Sequence, residues 1–231
     1  MGHDVGRHGC PTTVSSGSED GFVARLDSTG TYQWAMSLGG TSTDIVKAVV
    51  ENSGGGAYAT LNFQGTVTVG SSSYSAGTNT GVLAFEVDSS GSVQWVTSFI
   101  STGGDVTSLG ACKRHATSAG QNGGFWAIGR FDGTVTMGST TMTETGGGFA
   151  DAYVARLKAN GDVYFALAVG GTGGDRATAV GSDWAGGAYV AGYFDGTTTI
   201  DSESLTSAGN DDIFVMKVRT QPFLTLSPPH T

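Results

Sequence analysis

DAYVARLKANGDVYFALAVGGTGGDRATAVGSDWAGGAYVAGYFDGTTTIDSESLT, residues 151–206, consists of short apolar runs closed by glycine, asparagine or aspartate. Four runs read as strands: 153–157, 163–169, 177–180 and 188–194, with the threonine-rich 197–200 extending the last. Many alternate apolar with polar or small residues, the period of a strand with one buried face. The breaks, such as Asn160-Gly161 and Gly186-Gly187, supply the positive φ that tight hairpins require. No stretch places apolar residues at helical spacing without an intervening glycine, so no amphipathic helix of useful length is expected.

The rest of the chain repeats this unit. Phe22, Leu83, Tyr153 and Phe214 are equivalent, at separations 83−22 = 61, 153−83 = 70 and 214−153 = 61. Gly30, Gly91 and Gly161 keep the register, as do Trp34, Trp95 and Phe165. Asp44, Asp105 and Asp175 close GGTSTD, ISTGGD and GGTGGD. Phe63, Phe131 and Phe194 precede a glycine by two residues. The middle unit is longer because of an insertion near 112–118 and two further residues in its closing loop.

Four antiparallel strands in about 60 residues fit a propeller blade better than a solenoid turn, because strand solenoids repeat every ~20–30 residues. The expected fold is all-β: a partial β-propeller, an open arc of about three four-stranded blades with partial blades at both ends. Residues 1–19 read as the end of a preceding blade. Blades follow at 20–80, 81–150 and 151–210, a further first strand at 211–220, and an irregular tail at 221–231. Closed propellers need about four to eight blades. The missing blades are expected from a composite of the two ends, from a longer protein of which this is a segment, or from another protomer. The segment reading is preferred.

The run DAYVARL (151–157), matched by DIFVMKV (212–218), is followed by GGT-x-x-D and by GGAYVAGYF (186–194). This succession resembles the bacterial repeat family called SBBP, seven-bladed β-propeller repeats, over residues 9–219. Unit two departs where VTSLGACKRHATSAGQNGGFW replaces the compact form, and unit one departs at Gln64, where the others have Asp132 and Asp195. The resemblance implies a propeller fold and a secreted or surface setting. It carries over no catalytic residue.

Glycine is 39 of 231 residues and the formal net charge is −9, with a pI near 4.6. Such acidity argues against nucleic acid or an anionic membrane as partner, since both are held by Lys and Arg. No apolar run reaches the ~18 residues of a membrane helix, so no membrane insertion is expected. No signal peptide is visible.

Candidate chemistry is sparse. The insertion gathers Cys112, Lys113, Arg114 and His115 into one basic loop inside an acidic chain. Insertions in repeat arrays map to loops and often to the binding face, so Lys113, Arg114 and His115 are candidate ligand-binding residues. Trp184, on the GSDWAGG turn, is the candidate exposed stacking residue. Cys112 can pair with Cys10, or the two can join His8 and His115 around zinc, but the sequence does not show that they meet. Asp44, Asp105 and Asp175 are weak metal candidates; the stronger reading is that they cap turns through backbone N–H groups. Asp132 and Asp195 read as Asp-Gly turn residues. Trp34, Trp95 and Phe165 read as core between blades, and Trp126 matches Tyr58 and Tyr189. No catalytic triad and no phosphate loop is found, and no cofactor is expected.

The leading functional reading is a non-enzymatic repeat module, an extracellular or surface scaffold or binding platform, with protein or glycan partners. The alternatives are a carbohydrate-binding module, or the propeller part of a carbohydrate-active or quinone-dependent enzyme.

Overall fold

The computed structural model describes residues 15–113, 123–183, 185–200 and 203–219. Among them the fold is all-β: fifteen strands and no helix.

The shortest hairpins show the local rule. β1 (Gly21–Leu26) and β2 (Tyr32–Leu38) are antiparallel and joined at Asp27 to Thr31. Asp27 accepts the N–H groups of Thr29 and Thr31, both at 2.9 Å. Asp88 does the same for Ser90 at 2.8 Å and Ser92 at 3.0 Å, in the turn between β5 (Ser72–Val87) and β6 (Val93–Ser101). The chain then needs a left-handed residue, which a side chain resists: Gly30 has φ 81° and Gly91 φ 86°. In the third unit Lys158 replaces the aspartate and pairs with Asp162 at 3.5 Å.

Hydrogen bonding groups the strands half a unit out of phase with the repeat as it reads in sequence. The strands β3 (Asp44–Glu51), β4 (Ala57–Val69), β5 and β6 form one antiparallel meander. A second joins β7 (Val106–Lys113), β8 (Phe125–Phe131), β11 (Asp151–Leu157) and β12 (Val163–Gly171). A third joins β13 (Asp175–Ser182), β14 (Ala188–Ile200) and β15 (Glu203–Val218). Each sheet takes its first two strands from the end of one sequence unit and the rest from the start of the next. β1 and β2 stand ahead as a half-sheet. A repeat has a period but no intrinsic starting point; the long hairpins, not the apolar runs, set where each sheet begins.

The sheets pack face to face, and one pattern recurs at all three boundaries. Leu83, Phe85 and Val87 of β5 pack with Val23, Trp34 and Met36 of the half-sheet. Tyr153, Ala155 and Leu157 of β11 pack with Val82, Ala84 and Phe99. Phe214, Met216 and Val218 of β15 pack with Ala152, Val154 and Phe165. Alternate residues of one strand therefore serve two different boundaries, and β5 and β11 are buried on both faces. Each fully buried Leu or Phe here contributes about 1.5–3 kcal/mol. The indole of Trp34 also donates across its boundary to the Ser89 carbonyl at 3.0 Å, and that of Trp95 to the Ala159 carbonyl at 2.7 Å. Trp126 is wholly buried, whereas Tyr189, its counterpart in the last sheet, is half exposed.

The first strands β3, β7 and β13 lie against one another in turn. Farther out, a hairpin fills the gap between sheets. β9 (Thr134–Met137) and β10 (Thr140–Thr143) reach back from the second sheet, and β9 pairs with β6 of the first. The far end of β14 likewise pairs with β12 through Thr198 and Thr199, and Val67 of β4 bridges to Gly40 beside β2. Asp195 is accordingly no hairpin turn: β14 runs through it, with a register shift at Asp195 to Thr197. Its glycine, Gly196, takes φ 65° to make that bulge, and Asp132-Gly133 lies between β8 and β9 with φ 72° at the glycine.

Candidate functional site: the acidic strand ends

The GGT-x-x-D motif turns the chain from the fourth strand of one sheet into the first strand of the next. Asp44 opens β3, Asp105 precedes β7 and Asp175 opens β13. The Asp44 N–H donates to the Glu19 carbonyl and that of Asp175 to the Ala150 carbonyl, both at 2.7 Å. The Asp44 carboxylate accepts the Gly40 N–H at 2.7 Å and the Gln64 N–H at 3.4 Å. Asp105 accepts the Thr80 N–H at 2.7 Å. Asp44 and Asp105 thus accept backbone N–H groups as caps do, the stronger of the two readings given by the sequence, whereas the Asp175 carboxylate caps nothing: both its oxygens are buried without a hydrogen-bond partner.

A second set of acids lies beside the first. Asp20, Asp151 and Asp212 share one repeat position. Asp20 accepts the Ser16 N–H at 2.7 Å, Asp212 the Ala208 N–H at 2.6 Å, and Asp151 the Thr145 N–H at 2.8 Å and its hydroxyl at 3.0 Å. The sequence carried a signal for them that composition hides. A Cβ on Gly39 would overlap the Asp20 carboxyl, and one on Gly170 would overlap that of Asp151. The middle unit exchanges both partners: Gly81 replaces the aspartate, and Ile100, replacing the glycine, fills the space above it. The paired change explains why isoleucine opens ISTGGD where the other two units have glycine.

This coupling is testable. Gly170→Ala is expected to cost about 1–3 kcal/mol by overpacking. Placing Ile at 170 together with Gly at 151 copies the middle unit. A double-mutant cycle followed by urea denaturation should then show about 1 kcal/mol or more of favourable coupling; additive losses would refute the exchange.

Burial raises several of these acids. It is the main cause for Asp44, opposed by the Gly40 and Gln64 amides and reinforced by the charge of Asp20. It is also the main cause for Asp132 and for Asp151, where Glu144 adds its charge in both cases. Asp175 is raised furthest, to about 7: burial dominates, Asp151 and Asp195 add to it, and the Thr198 hydroxyl and Gly171 amide pull the other way. Neither Asp175 oxygen has a well-formed hydrogen bond, so those two groups act on it only weakly. Among the described residues no three His, Cys, Asp or Glu side chains are grouped to hold a metal ion.

Of the basic insertion, Lys113 ends β7 opposite Phe125, with its Nζ 4.0 Å from Glu51 on β3. An exposed pair at that distance contributes about 0–1 kcal/mol. Arg114, His115 and Trp184 lie outside the described residues, as do Cys10 and His8, so the disulfide and zinc readings fall there too. Among the described residues Cys112 has no disulfide partner; its thiol is packed partly against the Trp126 cluster and pushed by burial to about 11. A thiol so raised is a poor nucleophile at neutral pH. No family model matches the chain, and no curated protein matches it.

Proposed function

We propose that the chain is a β-propeller repeat module of the SBBP type, a non-enzymatic scaffold or binding platform in an extracellular or cell-surface setting. The observation that carries this reading is the recurrence of one sheet-to-sheet boundary three times over, with the first strands β3, β7 and β13 in successive contact. Strands converging on one side, with hairpins filling the other, suit blades around an axis. Asp44, Asp105 and Asp151 accept backbone N–H groups, as scaffold residues do. Recognition then falls to parts that differ between units, and the 112–118 insertion is the largest of these.

The test is a glycan array and a broad hydrolase substrate panel run on the same preparation. The platform reading expects saturable binding to a protein or glycan that is lost when 114–120 is replaced by a Gly-Ser linker, and no turnover. Turnover abolished by changing Asp175 or Asp151 would replace it with the enzyme reading.

A further inference from the structure

β1 and β15, the first and last described strands, expose opposite faces of the same repeated strand. In β15, Phe214 and its alternates are buried against the second sheet, while Ile213 and Val215 are 84% and 71% exposed. In β1, Val23 is buried, while Phe22 and Leu26 are 65% and 58% exposed. In the two complete sheets between them, both parities are covered. The side that β15 leaves bare is the one on which, at every internal boundary, a following sheet sits. The side that β1 leaves bare is the one by which a sheet sits on its predecessor.

We propose that these faces bind each other between copies of this chain, head to tail, with β15 of one copy covered by the half-sheet of the next. The argument is continuity with a boundary the molecule already builds three times. Phe22 takes the place that Leu83, Tyr153 and Phe214 occupy internally, and Val215 the place of Val23, Ala84 and Val154. Lys217 stands where Arg25 does. Arg25 donates across its boundary to the Ser89 carbonyl at 2.8 Å, whereas Lys217 is held within its own sheet by Asp183 at 3.1 Å, so the contact rests on the apolar side chains. The contact is heterologous: each copy uses two different surfaces, and growth stops only where the ring closes. The inference rests on the stacking geometry and not on the ligand reading above.

Sedimentation velocity through the micromolar range, with Phe22→Asp and Val215→Asp, tests it. Both side chains face solvent, and near-UV circular dichroism checks that each variant is folded. Wild type is expected to gain mass with concentration. Each variant alone should be monomeric, and an equimolar mixture should form a dimer and nothing larger, because the two intact faces left in it are complementary. Monomeric wild type, a single variant that still self-associates, or a mixture that stays monomeric would each overturn the proposal. The mixture separates this contact from like-on-like pairing, which a variant altered at the other end would retain. None of these results depends on the outcome of the glycan and substrate screens.

Discussion

Tyr153→Ala is expected to lower folding stability by about 3–5 kcal/mol. Phe22→Ala, at the same position of the repeat, should cost under about 1 kcal/mol in the monomer. Tyr153 is wholly enclosed between two sheets and meets Phe99 edge-on, with ring centroids 6.0 Å apart and planes at 88°. Removing it leaves a cavity beside Phe99 of β6 and Gly129 of β8. Phe22 has a sheet on one side of its strand only and loses little when truncated. Urea denaturation of the two variants measures the difference, and equal losses would contradict the one-sided burial of β1.

Asp175→Asn is expected to stabilise the fold by about 2–4 kcal/mol at about pH 8 and to change little at about pH 4. The folded carboxyl titrates at about 7, whereas an unfolded aspartate does so near 3.9. Below about pH 4 both states hold the proton and there is no penalty. As the pH rises from about 4 to 7 the unfolded chain ionises while the folded one resists, so stability falls with every step. Above about 7 the full cost of a buried carboxylate with weak partners is present. The amide removes that charge in nearly the same shape. Asp44, Asp132 and Asp151 are displaced in the same direction, so part of the pH slope remains in the variant. Denaturation midpoints at the two pH values decide it: an Asn variant less stable at the higher pH would show that the charge is needed in place.

The strands and their turns were legible because each leaves a local mark. Asp27-Ser28-Thr29-Gly30 and its counterpart at 88–91 spell out the hairpin that forms. Alternation located β11 and β14 to within a few residues, and the threonine-rich 197–200 does extend β14 past Asp195. The grouping into sheets was not legible, because the choice between Tyr153 and Asp175 as the start of a unit rests on which edges find partners. The back-reaching hairpins were also hidden: Thr198 pairs with Gly171, and nothing local to TTTI announces that partner. The role of Asp151 required comparing it with Gly170, nineteen residues away, across all units. Lys113 was found, and it ends a strand; its neighbours Arg114 and His115 fall outside the described residues.

The hairpins that clasp a preceding sheet all point toward the N-terminus, which gives synthesis a direction. A nascent chain leaving the ribosome cannot finish the rim of the first meander until Thr134–Met137 has emerged. Until then β6 keeps part of an unpaired edge, the kind of surface that invites mispairing. The clasps themselves are written in threonine, as TVTM and TTTI, so the late-arriving pieces are strand formers that stay soluble while they wait. Loss of the last unit would reopen the rim of the one before it, whereas loss of the first would leave every later clasp in place.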